Sequence, residues 1–374
     1  MSRINPRAVL LGLAAPVGAL LFAAAFCAVV LAVTGHSAGD AVDAMVAASQ
    51  RPRTFVNSIN SAVQYYLAAV AVAIGFRMKL FNIGVDGQYR LAAMLSAALA
   101  GASFMEGLPS VLRVAMTIAA AMLVGAAWSG FAALLKVTRG VSEVISTIML
   151  NSIATFLVSY LLNPDRLALE NPGSNNVSTP PIGVGGQVPG IPVAGSSSDL
   201  FGLLFLAAAV GVVYWFVLSR TRFGFELKAT GLSESAAVAS GVSVKRMVVW
   251  SMLLSGAVAG LVGMPQLLGS SYSYSLDFPT GIGFIGIAVA LLGRNNPVGM
   301  ALAALLWGFL NNTSNSLDIS NIPREIIGIM QGIIVLSVVI AYELVRRYRV
   351  RAEQRDVGRA LGRTKAATAE EVSA

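Results

Sequence analysis

Apolar residues in this chain fall in long blocks, not in the short periodic runs of a soluble protein. Ten blocks stand out, at 9–33, 61–80, 85–105, 111–135, 142–163, 200–218, 248–268, 281–293, 297–317 and 325–345. A bilayer core of ~30 Å takes roughly 20 apolar residues as a helix, and most blocks come close to that. Inside hydrocarbon, backbone N–H and C=O groups must pair within their own segment, so each block predicts a helix. The apolar/polar alternation of a membrane barrel is absent. The expected fold is all-α: a polytopic membrane protein with about ten transmembrane helices, some of them discontinuous.

Two stretches break the pattern. The block 281–293 is short and carries Gly281, Gly283 and Gly286. Residues 81–88, FNIGVDGQ, interrupt the apolar run between the second and third blocks. Short, glycine-interrupted segments in both halves of a transporter point to broken helices beside its substrate path. A plain cytoplasmic turn is the other reading of 81–88. The loop 164–199 is rich in Pro, Gly, Ser and Asn; it is too small for a domain and is expected over the outer mouth or under a docked partner. Within the loop 219–247, Ser233 reads as a helix cap and Gly241 as the stop of a short amphipathic helix. Such a helix suits a groove on another subunit; an ordinary connection is the alternative.

The cations orient the helices. With the N-terminus inside, Arg77, Lys79, Lys136, Arg139, Arg220, Arg222, Lys228, Lys245, Arg246, Arg294 and the tail fall on the cytoplasmic side. Arg51, Arg53, Arg113, Arg166 and Arg324 remain outside. This bias predicts both termini in the cytoplasm. The chain then divides into a cytoplasmic N-terminus (1–8), a transmembrane domain (9–345) and a basic tail (346–374). The block 9–33, preceded by Arg3 and Arg7, exceeds the ~7–15 apolar residues of a signal peptide and is read as a retained span.

Composition agrees with this picture and narrows the chemistry. Of 374 residues, 56% are apolar and 12% charged, about half the charged share of a soluble chain. The net charge of +8 sits in loops and tail, which excludes nucleic acid as its explanation. Cys27 is the single cysteine and His36 the single histidine, so no disulfide framework, zinc site or histidine catalysis is expected. There is no G-x-x-x-x-G-K-[ST], G-x-S-x-G or H-E-x-x-H pattern. Any ATP must bind to another subunit, and neither catalytic residues nor a bound cofactor or metal is expected.

Four ordered segments carry a resemblance: FNIGVDGQY (81–89), SEVISTIMLN (142–151), GLSESAAVASGVSVKRM (231–247) and GFIGIAVALLGRNNPVG (283–299). They resemble the ABC-importer permeases of the branched-chain amino acid and simple sugar type. The N-I-G-x-[ED]-G-Q and I-A-V-A-L-L-G-R-N-x-P-x-G forms look like the nucleoside branch, and the resemblance runs from about residue 60 to 345. Asp86 stands where many relatives have glutamate, and the polar start of 231–247 also differs slightly. The resemblance implies a bacterial inner-membrane importer with a second, similar permease, separate ABC ATPase subunits and an extracytoplasmic substrate-binding lipoprotein. It also implies that 231–244 is the coupling helix, with Glu234, Ser235, Ala236, Ala237, Ala239 and Gly241 at the ATPase.

Several polar and aromatic residues are candidates for the substrate pathway. Asp86 at membrane depth costs ~2.5–3.5 kcal/mol on insertion scales, and such residues are usually functional; a cap or a partner for Arg77 or Lys79 is the plainer role. Asn82 and Gln88 can donate and accept, which suits a nucleobase edge or sugar hydroxyls, or the capping of broken helix ends. Phe81, Tyr89, Phe278 and Phe284 flank the two interruptions and could stack on a base or simply pack. Asn151 suits interhelical hydrogen bonding first and substrate contact second, and Gln266, Asn311 and Asn312 are similar. Glu143 is expected to serve its helix N-terminus, and Gly101, Gly125, Gly260 and Gly263 to let helices approach. A neutral nucleoside is the expected substrate; a simple sugar is the alternative, and an ion-coupled carrier a more distant one.

Overall fold

The computed structural model describes residues 6–170, 176–319, 326–341, 343–345, 347, 348 and 354. The basic tail therefore lies almost wholly outside the described residues, as do Arg324 and the first five positions. Each of the ten apolar blocks holds a helix. They are α1 (Pro6–Val33), α3 (Pro52–Phe76), α4 (Val85–Ala100), α5 (Ser110–Arg139), α6 (Glu143–Leu161), α7 (Leu204–Arg220), α10 (Val244–Gly260), α12 (Ile282–Leu292) and α13 (Pro297–Ile319), with α14 (Ile326–Val345) last. Between them lie α2 (Ala38–Ser49), α8 (Arg222–Leu232), α9 (Glu234–Ala239) and the single turn α11 (Met264–Gln266). Among the described residues, five helices alone are long and apolar enough to cross a bilayer: α3, α5, α6, α14 and the continuous run Val244–Ser271.

The chain divides into two compact units, Met45–Ser316 and Met1–Ala44 with Leu317–Ala374. The second holds α1, and α14 belongs to it. The first contains every site discussed below, and α3 is its axis. The apolar window of α3 is 78% buried, because Ala and Val at positions 68–73 let α12, α10 and α7 pack around it. α6 is the opposite case, with 22% of its window buried; Ile145, Met149, Ile153 and Phe156 are exposed along it.

The tightest helix pair is α5 with α10. A Cβ on Gly125 would land on the carbonyl oxygen of Gly256, one on Gly256 would land on that of Gly125, and one on Gly260 on that of Ala121. The two backbones touch through small residues four apart, the usual close-packing device of membrane helices. Ser129 adds a hydrogen bond to the Met252 carbonyl at 2.8 Å.

The loop 164–199, described at residues 164–170 and 176–199, covers one end of the unit. Its short strands β1 (Leu169–Glu170) and β2 (Val177–Ser178) pair antiparallel. It docks on the segment after α10 through Thr179 N to Tyr274 O (2.9 Å), Ile182 N to Tyr272 O (2.7 Å) and Val188 N to Leu268 O (2.8 Å). At the other end, α7 bends by 73° into α8, and Thr221 caps the new helix by accepting from Gly224 N at 3.1 Å.

The α5–α10 contact yields a stability prediction. Gly256→Leu drives a branched side chain into the Gly125 backbone, and overpacking of this kind costs about 1–3 kcal/mol or more. Purified protein in detergent is expected to unfold several degrees lower, or to aggregate. Gly107→Ala, which meets open space, is expected to leave the melting curve unchanged.

Candidate functional site

The interruption at 81–88 is a re-entry of the chain, not a surface turn. After α3 ends, the backbone reverses at Met78 and Lys79, with Lys79 in the left-handed region at φ 58°, and runs back along α3. Asn82 Nδ2 donates to Ser255 Oγ at 2.8 Å, and that hydroxyl donates to the Ala71 carbonyl at 2.7 Å. Asn82 is thus level with Ala71, more than a turn above the end of α3, and α4 begins at that depth.

α12 begins at a similar depth from the second half. The turn just past its end is tied to the end of α3: Arg77 donates from one terminal nitrogen to the Asn295 carbonyl at 2.7 Å, and Tyr214 Oη donates to the same oxygen at 2.9 Å. Eleven residues span about 16 Å, roughly half a bilayer core. The first turn of α12 therefore meets the first turn of α4 near the middle of the membrane-spanning region. Two helix N-termini, each with unpaired N–H groups and a positive dipole end, face one another there.

Asp86 bridges them. It lies in the first turn of α4, is 7% exposed, and its Oδ1 accepts from Gly283 N of α12 at 3.2 Å. A carboxylate between two positive helix ends is stabilised where an isolated one would be expelled. The approach requires Gly283, because a Cβ there would land on the backbone N of Asp86.

Other predicted residues complete the junction. Asn82 and Gln88, at 1% and 0% exposure, form a reciprocal amide pair at 3.0 and 2.9 Å, and Asn82 Oδ1 also accepts from Gly84 N at 3.1 Å. Asn151 of α6 accepts from Gly87 N at 2.8 Å and donates to the Ile83 carbonyl at 2.9 Å, stitching both sides of the break. Tyr89 is buried and donates to the Pro279 carbonyl at 2.6 Å. Phe278, also buried, stacks on Tyr274 with centroids 4.8 Å apart. Phe81 and Phe284 are instead about half exposed, at 48% and 53%. Glu143 holds Lys136 at 2.7 Å and accepts from Phe81 N at 3.4 Å.

Arg90 is the residue missing from the sequence reading. It follows Asp86 by one turn of α4, donates to Thr155 Oγ1 at 3.0 Å, reaches the Tyr274 hydroxyl, and has a buried Nε without a partner among the described residues. Counting cations only between apolar blocks passes over it, although an arginine inside a block is itself a signal. Among the described residues no cluster of metal-ligating side chains occurs.

In the segment 231–244, Ser233 caps α9, accepting from Ala236 N at 3.3 Å, and Gly241 ends it at φ 81°. Glu234, Ser235, Ala236, Ala239 and Gly241 are exposed. Ala237 is not; it is 2% exposed and turns into the fold. Leu232 and Val238, at 81% and 60% exposure, supply the apolar surface that the sequence reading did not single out.

Removing Asn151 tests the junction. Asn151→Leu strips partners from the part-buried Gly87 N–H and Ile83 C=O, each worth up to about 1–3 kcal/mol. The purified variant is expected to lose thermal stability and, in cells, most transport. Gly283→Val is expected to abolish transport while leaving the chain in the membrane, as read by fractionation and blotting.

Comparison with known proteins places this geometry. Residues 54–339 match the family described as branched-chain amino acid transport system / permease component. The guanosine ABC transporter permease protein NupP of Bacillus subtilis is 33% identical, over 88% of this chain and 93% of that one. The nucleoside ABC transporter permease protein NupB of Lactococcus lactis is 30% identical over 80% and 83%, and the glucose ABC transporter permease protein TsgB13 of Haloferax volcanii 35% identical over 77% and 76%. The chain belongs to the family of branched-chain amino acid transport system permease components and is a multi-pass membrane transport subunit, not an enzyme.

Proposed function

We propose that the chain is the membrane-spanning subunit of an ATP-driven importer of nucleosides, working by alternating access. The observation that carries this reading is the junction of α4 and α12. Two half-helices meet at membrane mid-depth around neutral amides, in a chain whose similarity to a guanosine permease runs nearly end to end. Asn82, Gln88 and Asn151 tie the broken ends together with neutral amides, and Asp86 is balanced by the two helix ends and by Arg90 one turn along α4. An uncharged solute crosses such a region with less opposition than a phosphate would.

The remaining assignments follow from the same reading. The protein lies in the bacterial inner membrane with both termini in the cytoplasm, so the Arg77 end is cytoplasmic and the Arg53 end faces outward. A second permease and lipid share the bare face of α6, a binding lipoprotein delivers substrate at the cover formed by 164–199, and an ATPase receives α9. The stretch 81–89 with Asn151, Phe278 and Phe284 flanks the path. A simple sugar is the second reading, favoured by the 35% identity to the glucose permease. An ion-coupled carrier fits poorly, since among the described residues the buried acids are Asp86 and Glu143, and both are engaged.

Two experiments test this. A deletion strain is expected to lose uptake of labelled guanosine or uridine and keep uptake of glucose and ribose; the reverse pattern rejects the nucleoside assignment. Glu234→Arg combined with Ala236→Arg puts two cations on the exposed face of α9 and is expected to end co-purification of the ATPase, with the permease still in the membrane. Retained association and uptake would reject α9 as the docking element.

A further inference from the structure

A separate polar cavity of about 500 Å³ opens at the Arg53 end of the Met45–Ser316 unit, a size within the ~300–1,000 Å³ of small-molecule sites. Its walls are the first half of α3, the loop 197–201, the last turn of the α10 run, and Asn312 of α13. It is a built feature. Asn60 fixes the loop wall by donating to the Asp199 carbonyl and accepting from Phe201 N, both at 2.9 Å. Asn312 ties α13 to α3 by donating to Ser61 Oγ at 3.0 Å.

Two observations point to a ligand. Gln64 is 5% exposed and gives its amide N–H to Gln266 Oε1 at 3.1 Å, yet its own Oε1 accepts nothing among the described residues. The Asn57 side-chain amide, also on the wall, is likewise unengaged there. Both amides line the cavity with capacity left to bond a solute that enters it. Second, the α10 run widens into a π-turn at Leu267–Ser271 where it borders the cavity, ending in Tyr272 at φ 50°. Such turns are frequent at functional sites. Apart from Phe201 and Gly269 the rest of the lining is amides and hydroxyls, and Arg53 and Asp199 give no net charge.

We infer that this cavity is an outward-facing binding site, contained in one permease subunit, for a neutral solute rich in hydroxyls, such as the ribosyl group of a nucleoside or free ribose. It would take the solute before the α4–α12 junction does. The inference rests on the import reading and its orientation.

Because Cys27 is the single cysteine and is buried, a reporter thiol can be placed cleanly. In a Cys27→Ser background of the full transporter in cells, Ser197→Cys and, separately, Asn57→Cys are labelled with a membrane-impermeant maleimide. Guanosine or ribose is expected to slow labelling at least fivefold, with Gln64→Leu removing the protection. Protection by guanosine alone identifies a site that needs the base, and protection by both identifies one that reads the ribosyl group. If neither solute slows labelling, or neither thiol labels from outside, the site is overturned, although nucleoside uptake may be intact. If deletion leaves nucleoside uptake unchanged, the import reading fails, whatever the labelling shows.

Discussion

The structure depends on satisfying two loose helix ends, the starts of α4 and α12, where no water is at hand. Breaking a helix inside a bilayer frees N–H and C=O groups that cost several kcal/mol each if left unpaired. Here the breaks are paid back by one another. Asp86 receives an N–H from α12, Asn151 clasps the backbone on either side of the α4 start, and Asn82 with Gln88 closes the gap that remains. None of these side chains is interchangeable with an apolar one, and the spacing of FNIGVDGQ follows from that need.

Close approach of backbones makes the junction possible. Gly283 lets α12 come up against Asp86, while Gly125, Gly256 and Gly260 let α5 and α10 form a nearly seamless wall behind it. With lipid as apolar as leucine, van der Waals contact between small residues does the work that hydrophobic burial does in water. A rigid wall and a polar hinge thus come from two different uses of small side chains.

Much of this was legible in the chain. Block length gave the helices, and glycine at 281–286 with the polar run at 81–88 gave both breaks, because backbone demands leave local marks. Asn151 was read correctly as an interhelical tie, and Ser233 and Gly241 as the limits of α9. What escaped depends on which way a side chain turns. α9 is too short for its periodicity to show that Ala237 faces inward while Leu232 and Val238 face out. Arg90 and Gln64 both lie inside apolar blocks, whose length marks a helix but not where its polar side chains turn. The cavity lined by Gln64 is assembled from segments more than 100 residues apart, as the Asn60–Asp199 and Gln64–Gln266 bonds show. The termini, α1 and the distal tail offer no comparable reading.

The tie at Asn295 has a mechanical meaning. The end of α8 rests directly on Arg77, since a Cβ on Gly231 would land on the Arg77 carbonyl. Arg77 in turn grips the foot of α12, and the head of α12 is the Asp86 contact. α12 is thus a stiff rod about 16 Å long, loaded at its base by the same elbow that presents α9. If α9 is the docking element proposed above, Gly231, Arg77 and α12 give it a line of direct contacts to Asp86 with no soft loop between.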